Sequence, residues 1–321
     1  MSIPNSIRKA DKAVLVLLCL VGLLSIACIA VYIFKFVLPQ DNYFHRLLSA
    51  SAATTQATEK ITEATTTTTA TTATTAPPEK PDDLLGAHLR KADSYAYDTG
   101  FVRKVIEGEE KMPEGKKVAF ITIDDGVTTD HTPQMLDTLK EIDVPATFYI
   151  LGQSVGEATK PVLQRILDEG HSIGLHSYNH DYELLYPGRN ADTSEIMQQL
   201  KDSEAAIKEQ LGPDFFSGTW RYPGGHMSWN YLEEADAEMA NYGVDWIDWN
   251  CLFGDAEPED VRPTNREEVI NFFKSSYNVV SGNSCVVILL HDNMYLDHSR
   301  EALPEIAEYL RSEGYEFGIL K

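Results

Sequence analysis

Three apolar runs in this chain end in residues that can do chemistry. Val118-Ala119-Phe120-Ile121-Thr122-Ile123 runs into Asp124-Asp125. A second run ends in His176-Ser177-Tyr178-Asn179-His180, and a third, Val286-Val287-Ile288-Leu289-Leu290, in His291-Asp292. Parallel strands of an α/β fold place their C-terminal ends on one rim, where such folds keep their chemistry. Two imidazoles and a carboxylate on one rim make a divalent-metal site with a position left for water. A further carboxylate and a further imidazole are then free to serve as base and acid. His176 and His180 are four residues apart, so a single helical turn would point both the same way.

The elements that must position these groups alternate. Apolar segments at 118–123, 146–151, 171–176, 218–221, 244–249, 285–290 and 316–320 predict strands, and helices are predicted at 132–142, 160–169, 193–211, 229–242, 263–279 and 300–313. Thr132-Pro133 and Thr159-Lys160-Pro161 are good helix openings. Gly170, Gly212, Gly243 and Gly314 stand where helices should stop. Such alternation predicts a parallel sheet covered by helices, and seven units suggest an incomplete barrel.

The same residues carry a family resemblance. Thr122-Ile123-Asp124-Asp125-Gly126, His176-Ser177-Tyr178-Asn179-His180, Arg221-Tyr222-Pro223-Gly224-Gly225 and Leu289-Leu290-His291-Asp292 resemble, in order, the first, second, third and fifth motifs of the polysaccharide deacetylases (NodB-type domains, carbohydrate esterase family 4). The match runs from about Lys117 to Lys321. The resemblance implies an α/β fold, a distorted (β/α)7 barrel. It implies Asp125, His176 and His180 as ligands of a divalent metal, zinc first, with Co2+ or Mn2+ able to use the same donors. It implies Asp124 as general base, held by Arg221, and His291 as general acid. Asp255 is the candidate partner of His291. There the fourth motif is imperfect: the family reads Asp-x-x-Asp-Trp or similar, and Ala256 takes the place of Trp. Gly224 stands where many relatives have a tyrosine, so the sugar groove should differ. The substrate side is assigned to the backbone near Tyr222, Pro223 and Gly224. Trp249 and Leu289, with Trp246, could form an apolar pocket for an acetyl methyl. Trp229 and Tyr231 could stack on a sugar or pack helix against barrel.

The whole chain sets bounds. Its 321 residues carry 27 basic and 49 acidic side chains. Phosphate binding needs a basic footprint, so nucleic acid is disfavoured as a partner. From Ala13 to Phe34 the chain is uncharged and apolar, preceded by Arg8, Lys9 and Lys12. That predicts a membrane span, drawn at 13–38, with residues 1–12 in the cytoplasm and the remainder outside. A cleaved signal peptide or a lipoprotein box at Cys28 are the alternatives. Residues 39–80, rich in Thr and Ala, predict a disordered tether, and 81–116 a lead-in to a catalytic domain at 117–321. Cys251 and Cys285 are expected to be free buried thiols more readily than a disulfide. The expected function is metal-dependent removal of N-acetyl groups from a cell-surface glycan, peptidoglycan N-acetylglucosamine first. An O-acetyl esterase of xylan type is the alternative within enzymes, and a silent wall-binding module the alternative outside them.

Overall fold

The computed structural model describes residues 83–292 and 297–321. The expected span and tether lie outside these residues. Among the described residues no helix is long and apolar enough to cross a membrane.

The frame is a curled parallel sheet. Its strands are β2 (Val118–Gly126), β3 (Ala146–Ile150), β4 (Ser172–Leu175), β5 (Thr219–Trp220), β6 (Asp245–Trp246), β7 (Cys251–Leu252) and β8 (Cys285–His291). They are ordered β6-β5-β4-β3-β2-β8-β7. Every pair in this path is parallel. β2 and β8 are apolar and buried along almost their whole length, as central parallel strands must be. They pair in register from Val118↔Cys285 to Asp124↔His291. The ladder itself therefore sets Asp124 beside His291.

Helices cover the outer face. They are α2 (His131–Glu141), α3 (Lys160–Asp168), the short α4 (Tyr182–Leu185), α5 (Thr193–Leu211), α6 (Glu233–Tyr242), α7 (Arg266–Val280) and α8 (Asp297–Ser312). The side chains of Asp192 and Asn265 cap α5 and α7 by accepting the amides of Glu195 and Glu268. The larger core lies between sheet and helices, with Leu136, Ile166, Leu200, Phe273 and Leu303 fully buried.

Two strands differ from expectation. The segment 316–320 does not supply the seventh strand of the sheet. It divides at Gly318, where a Cβ would lie 2.9 Å from the Phe120 ring, into β9 (Glu316–Phe317) and β10 (Ile319–Leu320). β9 pairs only with the start of β2. The seventh place belongs to β7, which sequence periodicity cannot register because it has two residues. The side chain of Asn250 leads it in: its Oδ1 accepts the Val287 amide at 2.9 Å, while its own backbone N–H donates to Val287 O at 3.1 Å.

The lead-in packs into the barrel. β1 (Ala96–Tyr97) pairs with β10, and α1 (Thr99–Glu107) follows, capped by Asp98. Val102 and Met112 are buried with Val118, Phe120, Tyr149, Ile247, Val287 and Leu320 in a second, smaller core. Burying two such side chains contributes roughly 3–6 kcal/mol, a large share of the ~5–15 kcal/mol that holds a domain together. A chain starting at Lys117 should therefore lose cooperative unfolding, or melt at least about 10 °C below one starting at residue 81. Calorimetry on the two truncations checks this.

Candidate active site

Asp125, His176 and His180 converge at the ends of β2 and β4. Asp125 Oδ1 lies 3.6 Å from His176 Nε2 and 3.8 Å from His180 Nε2. The ligand-capable atoms of the three residues fall within 4.8 Å of one another. Asp125 Oδ1 is buried and makes no hydrogen bond. A buried carboxylate oxygen without a donor is costly, and a cation between the three groups would satisfy it. The donor set fits a divalent ion. His176 is also prepared as a ligand. Its Nδ1–H donates to Arg221 O at 2.8 Å, which leaves the Nε2 lone pair facing Asp125. Burial, then the neighbouring His180, lowers its pKa to about 3, so the ring is neutral.

The two imidazoles are not joined by a helical turn. Ser177 and His180 have φ of 67° and 58°, and the intervening chain is a loop. Its shape comes from Ser177 Oγ, which accepts the His180 amide at 3.0 Å, and from Gln199 on α5. Gln199 Oε1 accepts the amides of Tyr178 and Asn179 at 3.1 and 3.4 Å, while its Nε2 donates to Glu195 at 2.9 Å. Asp125 itself has φ 75°. These left-handed non-glycine positions store strain that the surrounding bonds must hold.

Asp124 is buried with Arg221. Arg221 Nη1 donates to Asp124 Oδ1 at 3.0 Å and to Thr122 Oγ1 at 2.6 Å. Burial raises the Asp124 pKa, and the Arg221 charge only partly offsets it. The expected ion pair with Arg221 is present, and burial leaves the carboxylate more basic than an ordinary one.

His291 faces Asp255. His291 Nδ1 lies 2.8 Å from Asp255 Oδ1, and its backbone N–H donates to Asp255 Oδ2 at 3.1 Å. Ser299 Oγ holds the same oxygen at 2.8 Å. Burial disfavours charge on the ring, but the Asp255 carboxylate outweighs it and raises the pKa to about 9.

The expected substrate residues separate into two groups. Pro223 and Gly224 lie in a turn closed by the Gly225 amide donating to Tyr222 O at 2.8 Å. Trp249 packs against that turn: a Cβ on Gly225 would sit 2.9 Å from its ring. Leu289 is buried in β8 beside Leu252. The Tyr222 ring is fully buried and its hydroxyl donates to Asp236, so only its backbone is available to a substrate. Trp246 stacks on His226 at 3.6 Å with the Arg103 guanidinium 4.4 Å from its centroid. Trp229 stacks on Tyr186 at 4.1 Å and donates to Pro223 O. Cys251 and Cys285 are both free and buried.

Two supporting residues were not expected. Gln199 reads in the sequence as an ordinary helix position, and nothing there marks it. Asp248 had a signal: Asp245-Trp246-Ile247-Asp248-Trp249 carries the Asp-x-x-Asp-Trp spacing sought around Asp255. Buried Asp248 accepts the amides of His226 and Met227 at 2.8 and 3.2 Å and so anchors the turn at 222–225. The partner of His291 comes from Asp255, seven residues further on.

A parallel, helix-covered barrel with a carboxylate–imidazole cluster and an Asp124–His291 pair on its C-terminal rim defines the class. The chain belongs to the polysaccharide deacetylase family, whose sequence profile matches residues 111–245. It is 31% identical over 212 residues, 64% of this chain and 88% of the relative, to a peptidoglycan-N-acetylglucosamine deacetylase of Bacillus cereus. It is 28% identical to the peptidoglycan-N-acetylglucosamine deacetylase of Listeria monocytogenes over 67% of this chain, and spans only 41% of that relative's length. The solved structure of a Streptococcus mutans CE4 esterase superposes with a TM-score of 0.71 at 38% identity, over 76% of this chain and all of that one.

Two outcomes follow from the geometry. Gln199→Leu should weaken divalent-ion affinity about 10–100-fold and, because two loop amides lose their acceptor, lower the melting temperature of the metal-free chain by a few degrees; competition with a zinc-chelating dye and calorimetry measure the two effects. Asp255→Asn removes the charge that raises the His291 pKa. A proton donor with a raised pKa is lost only as pH climbs through about 9. The alkaline limb of kcat should thus move to lower pH in the variant, read from a pH–rate profile.

Proposed function

We propose that this protein hydrolyses N-acetyl groups of a cell-surface glycan, with N-acetylglucosamine of peptidoglycan as the substrate. The observation that carries the reading is the unpartnered Asp125 oxygen between two imidazoles, with Asp124 and His291 paired across the adjoining strands. The peptidoglycan deacetylases among its relatives support the choice of sugar.

A divalent ion held by Asp125, His176 and His180 would supply Lewis acidity toward the acetyl carbonyl and lower the pKa of the attacking water. The protein does the rest. Asp124 accepts the proton as water adds to the acetyl carbon, and Arg221 keeps that carboxylate aimed. We assign the developing oxyanion to the backbone amides of the turn around Tyr222–Gly224. His291, charged below about pH 9, donates a proton to the departing nitrogen as the C–N bond breaks. Acetate and a free amine are the products. Asp255 fixes the ring that delivers the proton.

The Streptococcus mutans relative is described as an esterase, which favours O-acetyl hydrolysis as a second reading. The apolar stretch at 13–38 and its basic flank support a single-pass anchor with the domain outside the cell.

The full chain should carry about one equivalent of zinc or cobalt and release acetate from peptidoglycan and N-acetylglucosamine oligomers. Asp124→Asn and His291→Ala should lose about 100-fold or more in kcat while keeping the metal. Near-parental turnover in either variant would sink the mechanism. Faster release from acetylated xylan than from the amide substrates would replace the first reading with the second.

A further inference from the structure

Six large apolar side chains are exposed among the described residues, and three of them, Tyr178, Tyr182 and Leu184, flank His180 within seven residues of chain. Exposed apolar side chains gathered around a polar centre mark a binding surface. Tyr182 is the one built into it. It opens α4, whose cap Asp181 accepts the amides of Glu183 and Leu184. Its ring centroid lies 5.0 Å from that of His180 and 5.1 Å from that of Trp229. Behind it Trp229 is stacked flat on Tyr186, 10° from parallel, and pinned by its N–H to Pro223 O. The platform is thus rigid, yet Tyr182 remains 42% exposed.

The turn at Gly224 explains why the ring stands there. Gly224 has φ +77°, and a Cβ built on it would meet Trp229 at 3.1 Å and the Tyr182 hydroxyl at 3.3 Å. A side chain at 224 would strain the backbone and require Trp229 or Tyr182 to give way. The space above its peptide belongs to Tyr182, which arrives from a different loop. Its hydroxyl lies against the Gly224 turn, and its ring lies tilted 48° to that of His180, a metal-ligand candidate.

We propose that Tyr182 is a substrate-contacting residue, its exposed ring face taking the pyranose next to the acetyl group and its hydroxyl bonding a sugar hydroxyl. This rests on the deacetylase reading above. A flat aromatic face with a polar tip suits a sugar ring, which has an apolar C–H face and a polar rim.

The test uses the zinc-loaded full chain with two substrates: the tetramer of N-acetylglucosamine and 4-nitrophenyl acetate, which has no sugar. Tyr182→Ala should raise KM for the tetramer about tenfold or more, with aryl acetate turnover and zinc affinity within about twofold of the parent. Tyr182→Phe, which keeps the ring, should fall between the two. Equal kinetics of Tyr182→Ala and the parent on the tetramer would overturn the proposal. So would parallel losses on both substrates or of zinc, since they would make the ring a brace for His180. Calorimetric binding of the tetramer separates the two readings. A parent chain that binds the tetramer more tightly than Tyr182→Ala but releases no acetate would overturn the deacetylase function and uphold the sugar contact.

Discussion

The buried guanidinium of Arg221 is the constraint on which the rest of the rim depends. Its side chain is wholly inaccessible to solvent. Placing such a charge in the interior costs several kcal/mol unless its donors are satisfied. They are met by Asp124, Thr122 Oγ1, Ile247 O and Asp248 O, and the group lies 4.3 Å from the Tyr149 ring centroid. Those partners come from β2, from β3 and from the chain following β6. Arg221 thereby fixes how far these pieces of the sheet can separate. Its carbonyl also orients His176. One residue aims the candidate base with its side chain and a candidate ligand with its backbone.

Around this hub the rim divides into environments that drive ionisable groups apart. His176 is kept neutral by burial, as a ligand must be. Asp124 is made more basic than an ordinary carboxylate, again by burial. His291 is kept charged because Asp255 overcomes the same desolvation. Sites that place a base and an acid side by side work by such divergence. The sheet supplies it by giving each group a different neighbour at nearly the same depth.

Much of this was legible in the sequence where long apolar runs announced it. β2 and β8 are seven or more residues long, so their ends and the groups on those ends could be placed. β5 and β6, two residues each, fell inside the longer runs predicted at 218–221 and 244–249, while β7, also of two residues, had no run of its own. The third-motif arginine was found through its motif and not through its strand. Asp255 was carried over from the family's fourth motif although Ala256 stands in place of its Trp, while the Asp-x-x-Asp-Trp spacing at 245–249 was overlooked because it lies inside a segment that reads as strand. Gln199 was invisible because its role depends on where α5 passes the loop at 177–180. The helical turn expected for that loop failed for a local reason: its Asn and Ser side chains satisfy the backbone as well as a helix would.

The pairing of β2 with β8 has a consequence for how such a protein can change. Asp124 and His291 are opposite each other on neighbouring strands, and neighbouring strands lie about 4.8 Å apart in any sheet. The spacing between the two is therefore inherited from backbone hydrogen bonding, the least variable distance a protein has. Loops such as 177–182 and 222–231 stand above that ladder without contributing to it. Apart from His180 and the turn at 222–225, they can exchange aromatic residues while Asp124 and His291 keep their separation. Selection for a new polymer can then act on the loops alone.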